Sequence, residues 1–275
     1  MPGEQPPDYE SLSRLDGKTV MVIGGSQGAG RHVCHALSQF GASVLCVGRN
    51  IPATQAVARE VGGEAIIADF AIRAEAERAF ELAGRGQLHG IVDAAGSPQV
   101  NRFEDITDAQ WTSQFDAVLL PALASLQIGA RLIAQSGGGA ITLIGSIAGS
   151  AALPGVGPAY GSAKAALHHL TRIAATRLGP QGVRVNAIAP GVIMTPEKSA
   201  SRGEEWVRRA VQMHPLRRLV TGQDVAALAL FLNCDLARNL TGQVIVCDAG
   251  LTTQTDFPPM PSSVPSRATD RPERT

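Results

Sequence analysis

Short apolar segments alternate with longer amphipathic segments over most of this 275-residue chain. The short segments are rich in valine and isoleucine, and most are apolar at successive positions, which is typical of strands buried on both faces. They cover residues 18–24, 42–48, 64–69, 89–96, 140–146, 183–190 and 243–250, with helical segments between them at 28–40, 52–61, 73–84, 108–136, 158–178 and 222–234. This order predicts a doubly wound α/β fold, in which helices cover both faces of a seven-stranded parallel sheet.

The alternation also sets the domain boundaries. We expect one domain over residues 15–253, a disordered or loosely docked N-terminal arm over 1–14, and a flexible C-terminal tail over 254–275, which is rich in proline, serine and arginine. The interval 192–221 is longer and more charged than the other connections. Because it follows a strand, we expect it to be a lid over a site.

The balance of charged residues limits the classes of protein to which the chain can belong. Lysine plus arginine number 24, as do aspartate plus glutamate, so the formal net charge is zero. Proteins that bind nucleic acid or membrane surfaces usually have a basic excess, so we expect neither partner. The chain shows no secretory signal and no apolar run long enough to span a membrane. Its cysteines, Cys34, Cys46, Cys234 and Cys247, have no metal-ligand spacing and predict buried thiols, a cytoplasmic location and no metal site.

A glycine-rich turn follows the first predicted strand. The segment GGSQGAGR contains Gly24, Gly28 and Gly30, with Ser26, Gln27 and Ala29 in the same turn. A strand, a glycine turn and a helix form an anion site, because backbone N–H groups and the helix N-terminus face the ligand. A structural turn is the alternative. No Lys-Ser/Thr pair follows, so a nucleoside triphosphate loop is excluded.

The ends of the next two strands carry polar residues. Arg49 and Asn50 follow the second strand, where the adenosine ribose of a dinucleotide would lie. Arginine there favours a 2′-phosphate and therefore NADP(H) over NAD(H); a solvated loop arginine is the alternative. Asp69, followed by Phe70, ends the third strand and would either accept a hydrogen bond from adenine or cap the next helix.

Tyr160 and Lys164 are four residues apart on a predicted helix, so their side chains share a face. A nearby ammonium, together with an oxidised nicotinamide, is expected to lower the pKa of the tyrosine. Such a tyrosine exchanges a proton with a carbonyl oxygen while hydride moves at the carbon. Ser146, at the end of the fifth strand, would hold that oxygen by a hydrogen bond.

These three motifs together resemble the short-chain dehydrogenase/reductase family over residues 16–252, and the segments at 189–191, 217–232 and 240–250 also match. The resemblance implies a single-domain Rossmann-type fold and catalysis by Ser146, Tyr160 and Lys164. It places Ala95, Gly96, Ile193 and Thr195 against the cofactor. It also implies a homodimer or homotetramer, formed through helices 108–136 and 158–178.

The chain departs from the family pattern at three places. Ile23 replaces a threonine before the glycine loop, and Asp93-Ala94 replaces two asparagines after the fourth strand, where the aspartate can still accept sheet-stabilising hydrogen bonds. Val118 replaces an asparagine that, in the family, distorts its helix so that a backbone carbonyl holds a water feeding the lysine. We therefore expect the helix near Val118 to be undistorted, or to be held open by Ser113, Gln114 or Asp116.

The combined pattern predicts an NADP-dependent ketoreductase that interconverts a carbonyl and a secondary alcohol. The alternatives are an NADP-binding scaffold or sensor, and an epimerase or dehydratase acting through a transient ketone. The candidate substrate walls are residues 97–103, 148–156 and 192–213, which include Met194, Trp206 and Met213. Their composition favours an apolar, moderately bulky ketone. His168 and His169 are interpreted as packing or interface residues.

Overall fold

The computed structural model describes residues 7–84, 87–99, 101–153, 155–195 and 200–253. Within them, seven strands form one sheet in the order β3-β2-β1-β4-β5-β6-β7. The strands are β1 (Thr19–Ile23), β2 (Ser43–Gly48), β3 (Glu64–Ile67), β4 (Gly90–Asp93), β5 (Gly139–Ile144), β6 (Val183–Pro190) and β7 (Val244–Cys247). Every neighbouring pair is parallel, which confirms the predicted fold.

The described helices connect these strands. They are α1 (Tyr9–Ser13), α2 (Gly28–Gln39), α3 (Ile51–Glu60), α4 (Arg73–Ala83), α5 (Asp108–Ala124), α6 (Ala130–Gln135), α7 (Pro158–Leu178), α8 (Glu204–Met213) and α9 (Gly222–Asn233). The predicted helix over 108–136 is not one continuous α-helix, because a π-helix, Ser125–Gly129, separates α5 from α6. The predicted lid, 192–221, contains α8.

Part of the N-terminal arm is ordered. The Asp8 carboxylate accepts a hydrogen bond from the backbone N–H of Glu10 at 3.0 Å and caps α1. This capping satisfies N–H groups that the first turn of a helix leaves without backbone partners. Residues 1–6 and the tail at 254–275 lie outside the described residues.

Alternate residues of the strands pack into two separate cores. Val20 and Val22 of β1 face the layer formed by α2, α3 and α9. Met21 and Ile23 face the layer formed by α4, α5, α6 and α7. Because side chains alternate across a strand, this division explains why the strands are apolar at successive positions.

One helical stretch has an unusual composition. Asp108–Gln135, which spans α5 to α6, is long and apolar enough to cross a membrane, and its most apolar window has a mean hydropathy of 1.7. Half of that window is buried inside the fold. The sequence had led us to expect no such helix, but core helices of this length meet the same criterion.

The sheet order creates a crevice. β1 pairs with β2 on one side and with β4 on the other, so the connections leave β1 in opposite directions. In open parallel sheets, ligands bind outside the carboxyl ends of the strands at this switch point. The loops after β1, β4, β5 and β6 all begin at that edge.

Candidate active site

A cleft of about 1830 Å³ lies at the carboxyl edge of the sheet. It brings together nearly all the residues that the sequence predicted for the site. The lining includes Gly24, Ser26, Gln27, Gly28, Ala29, Gly30, Arg49, Asp69, Phe70, Ala95, Gly96, Ser146, Tyr160, Lys164, Ile193 and Thr195. Asn50 is the predicted residue that lies outside the lining.

The glycine loop has the geometry of a phosphate cradle. Gly24 and Gly28 have φ values of 76° and 55°, which favour glycine. A Cβ at Gly30 would collide with the carbonyl of Gly24, whereas one at Gly28 would meet no atom within 4 Å. α2 begins at Gly28, and its N-cap residue, Gln27, makes no side-chain capping bond. The N–H groups of this first turn therefore fit a pyrophosphate.

Charged side chains mark the other end of the cleft. Arg49 Nη1 lies 3.3 Å from Asp69 Oδ2, and the Arg49 side chain is 78% exposed. An ion pair this exposed contributes little to stability, so the guanidinium can exchange its partner for a phosphate at small cost. Asp69 Oδ1 also accepts a hydrogen bond from Ala71 N at 3.0 Å. Asn50 Oδ1 caps α3 by accepting from Ala53 N, and a cofactor contact of Asn50 stays a prediction.

Ser146, Tyr160 and Lys164 lie on one wall of the cleft. Ser146 Oγ accepts a hydrogen bond from Ala148 N at 3.2 Å, which holds the turn after β5. Lys164 Nζ donates to the carbonyl oxygen of Ile144 at 2.6 Å. The same Nζ lies 5.7 Å from the centre of the Tyr160 ring. The motif residues therefore converge where β5 meets α7.

The electrostatics of Tyr160 differ from the expectation. Burial raises the pKa of its hydroxyl, and the hydrogen bond with Ser146 opposes that increase without cancelling it. Our expectation of a lowered pKa for Tyr160 is therefore wrong for the chain without a cofactor, because burial outweighs what favours the phenolate. Burial likewise lowers the pKa of Lys164 to about 8. In both cases removal from water disfavours the charged form.

Residues 24–252 match the family model described as enoyl-(acyl carrier protein) reductase. The chain belongs to the short-chain dehydrogenase/reductase family. A galactitol 2-dehydrogenase (L-tagatose-forming) from Cereibacter sphaeroides is 32% identical over 253 residues, which cover 89% of this chain and 99% of the relative.

Solved structures of the short-chain dehydrogenase/reductase family have the same fold as this chain. One is a 7α-hydroxysteroid dehydrogenase complexed with NADH and 7-oxoglycochenodeoxycholic acid, with 30% identity, a TM-score of 0.82 and coverage of 89% and 98% of the two chains. Another is a putative NAD(P)-dependent gluconate 5-dehydrogenase from Beutenbergia cavernae with bound NADP, with 30% identity, a TM-score of 0.83 and coverage of 88% and 100%. The protein is an NAD(P)-dependent oxidoreductase.

Val118 departs from the short-chain dehydrogenase/reductase pattern without distorting α5. It lies in the α-helical part, is buried, and its Cγ2 atom is 3.1 Å from the position of a Cβ on Gly96. The break in the helix comes later, at the π-helix Ser125–Gly129. Pro121, which has no N–H to donate to the carbonyl of Ala117, lies in the α-helical part before it. Ala117 and Pro121 both line the cleft. Sequence reasoning missed Pro121, although a proline within a predicted helix is a visible signal.

Two further side chains that support the short-chain dehydrogenase/reductase site were missed or undervalued. Gln114, buried in α5, accepts a hydrogen bond from Gln99 N at 2.7 Å and donates to the Ser97 carbonyl at 3.3 Å, so it fixes the loop after β4. His168, interpreted as a packing residue, lies under the serine loop: its Nδ1 is 3.3 Å from Ser150 Oγ. Gln114 stands among other polar residues of α5, so no clear signal for it was visible in the sequence.

The substrate end of the cleft is less apolar than expected. Ser97, Pro98, Gln99, Val156, Val192 and Arg202 line it. Arg202 stacks on Trp206, with 4.2 Å between the guanidinium carbon and the ring centre. Trp206 and Met213, which we expected in the wall, lie outside the lining, and Met213 is 60% exposed.

Proposed function

We propose that this protein is an NADP-dependent oxidoreductase that interconverts a carbonyl and a secondary alcohol, with Tyr160 as general acid and base. The proposal rests on one observation. Ser146, Tyr160 and Lys164 lie together at one end of the cleft, and the glycine loop lines the same cleft. One alternative, a scaffold or sensor, leaves this set without a purpose. The other, an epimerase or dehydratase, requires an additional step.

The chain's own residues account for the proton chemistry. NADPH, when bound, supplies the hydride. The Ser146 hydroxyl donates a hydrogen bond to the carbonyl oxygen and orients it. Tyr160, whose raised pKa keeps it protonated near neutral pH, donates its proton to that oxygen. The Lys164 ammonium stabilises the phenolate that remains.

The cofactor would be held along the whole carboxyl edge of the sheet. The residues from Gly24 to Gly30 receive the pyrophosphate, Asp69 and Phe70 the adenine, and Ala95, Gly96, Ile193 and Thr195 the nicotinamide side. Arg49 favours NADP(H), because its exposed guanidinium stands at the adenosine end. Family members carry either cofactor, as the NADH and NADP complexes illustrate.

Cofactor titration tests this preference. We expect tighter binding of NADPH than of NADH, and we expect Arg49→Asp to reverse the order, because a carboxylate repels the 2′-phosphate and accepts from the ribose hydroxyls. Arg59→Asp on α3 makes the same charge change away from the cleft lining and should leave the order unaltered. Equal affinities in the unmodified protein would contradict the proposal.

A screen of carbonyl compounds tests the reaction. The protein is offered NADPH and a panel running from open-chain and cyclic apolar ketones to keto sugars, and NADPH consumption is followed. We expect turnover with apolar ketones of moderate size. No turnover by protein that binds NADPH would favour the scaffold, and loss of water from a hydroxylated substrate without net NADPH use would favour the dehydratase.

The proposal extends to assembly and location. α5 and α7 pack together and leave Leu123 and Ile173 exposed outside the cleft lining. An apolar face of this kind fits a second copy of the chain, so we propose a homodimer or homotetramer formed through these helices. We also propose a cytoplasmic protein that binds neither nucleic acid nor membrane, with the interval 192–221 as the substrate lid.

A further inference from the structure

Asp93, the last residue of β4, is buried, with 5% of its surface exposed. One carboxylate oxygen accepts from Ala95 N at 3.0 Å, and the other lies 3.5 Å from Ser125 Oγ, at the start of the π-helix. These bonds reach a loop and a helix, not a neighbouring strand as the sequence suggested. An asparagine at position 93 could therefore fill the same structural role within the sheet as the Asp93 carboxylate.

Lys164 shares the same interior. It is 2% exposed, and its ammonium is held against the Ile144 carbonyl. Asp93 is paired with Leu143 across the sheet, so Ile144 is the next residue along β5. The carboxylate and the ammonium are therefore both buried where β4 and β5 end beneath the π-helix and α7, with Lys164 bordering the cleft.

Buried charges are costly unless an opposite charge is close. Among the described residues, Lys164 is the one lysine or arginine in the buried class, and Asp93 and Asp248 are the acidic ones. Asp248 lies after β7, where Gly250 and Thr252 donate hydrogen bonds to it. Asp93 is thus the buried acidic residue best placed to compensate the charge of Lys164.

The other groups around Lys164 do not replace Asp93. Tyr160 and His168 lie on the same helix, and burial, Lys164 and Arg172 together lower the pKa of His168 to about 4, so its ring is neutral. Burial raises the pKa of Asp93 to about 6; the hydrogen bond from Ala95 N limits the rise most, followed by the charge of Lys164 and the Ser125 hydroxyl. Burial lowers the pKa of Lys164 to about 8, and Asp93 limits the fall. Near pH 7 both groups are charged.

We propose that Asp93 is a positioning residue that acts through Lys164, keeping its ammonium charged in the buried interior beside the cleft. This inference deepens the proposed function and rests on it for its catalytic meaning, whereas the pairing itself belongs to the chain alone. An asparagine at 93 would leave the ammonium uncompensated, and Lys164 would lose its proton at a lower pH.

The pairing is tested by a double-mutant cycle on the cofactor-free protein. Melting temperatures are measured at pH 7 for Asp93→Asn, Lys164→Met and the double variant. We expect Lys164→Met to lower the melting temperature, because it strands a buried carboxylate. Asp93→Asn should then restore part of the loss, so the double variant melts higher than the sum of the two single shifts predicts.

The matched control combines Lys164→Met with Asp248→Asn, a second buried carboxylate with its own hydrogen bonds, and should be additive. Asp93→Ser provides a second neutral variant if the asparagine form does not fold. Additive shifts for both Asp93 variants would overturn the pairing.

The pH dependence separates this role from simple packing. The folded-state pKa of Lys164 is depressed from 10.5 to about 8, so the unfolded chain binds more protons and stability should rise as the pH increases from about 8 towards 10.5. Asp93→Asn should move the start of that rise to lower pH by at least about half a pH unit. An unmoved start would overturn the proposal. If Asp93 and Lys164 are coupled but the unmodified protein reduces no ketone, the proposed reaction is rejected and the pairing of Asp93 with Lys164 is retained.

Discussion

At the scale of single residues, Tyr160 is a partly buried phenol beside a buried ammonium. Its raised pKa keeps the phenol protonated but makes it a weaker acid, so Lys164 and a bound cofactor must stabilise the phenolate for the proton to be donated. The same arrangement explains why tyrosine, normally a weak acid, stands one helical turn from a lysine.

Tyr160→Phe should abolish proton transfer and leave the packing almost unchanged, because only the hydroxyl is lost. We expect turnover to fall by about 10²-fold to 10⁴-fold, with NADPH affinity unchanged in a fluorescence titration. Ser146→Ala should lower turnover with little effect on cofactor affinity, whereas Lys164→Ala should reduce both. A loss of less than about tenfold for Tyr160→Phe would assign the proton to another group.

At the scale of elements, α7 supports the serine loop through His168. A Cβ on Gly145 would lie 2.5 Å from His168 Nε2, and one on Gly149 would lie 2.7 Å from the backbone carbon of Lys164. Both glycines flank the turn that carries Ser146, so the loop can approach the helix only because they have no side chain.

Gly145→Ala should therefore destabilise the protein by about 1–3 kcal/mol, measured by denaturant unfolding. His168→Ala in that background should recover part of the loss, because the imidazole is the nearest obstacle, while the Ile188 carbonyl at 3.0 Å remains. Gly149→Ala is the comparison: two of its three nearest obstacles belong to the backbone of α7 and the third is His168 Cε1 at 2.8 Å, so His168→Ala should recover a smaller part of the loss. Equal recovery in both backgrounds would show that His168 does not set the loop.

The helices and strands also show which parts of the fold could be predicted from the sequence. Strands were predictable because burial on both faces leaves a continuous apolar pattern, as in β1 and β2. The break between α5 and α6 was not predicted, since hydrophobic spacing continues through Pro121 and the π-helix. α8 escaped prediction because its charged surface, with Glu204, Glu205 and Arg209, obscures the short apolar face.

At the scale of the whole molecule, the convergence of distant segments was predictable. Gly24, Asp69, Ser146 and Ile193 each follow a strand, and parallel strands end at one edge. The charge states were not predictable, because burial of Asp93 and Lys164 depends on how the π-helix and α7 cover the sheet. A motif gives residue types, whereas a pKa depends on the packed surroundings.

The proposed homodimer or homotetramer can be tested at the scale of the whole molecule. Leu123→Arg on α5 should shift the protein towards the monomer in size-exclusion chromatography with light scattering, because a buried, unpaired guanidinium would penalise the helix interface. Ile72→Arg, at a residue 49% exposed near α4, is the control and should not change the mass. A monomeric unmodified protein would contradict the proposal directly.

The position of β1 between β2 and β4 has a consequence for synthesis. A ribosome releases the adenosine half of the cleft, residues 24–69, well before Ser146, and domains form from the N-terminal side as they emerge. Until β4 arrives, one edge of β1 has no neighbour, since its partner residues begin at Gly90. A nascent chain halted in that interval presents an apolar strand edge to other chains and is prone to aggregate. Uninterrupted translation through β4 thus protects the protein before any catalytic residue exists.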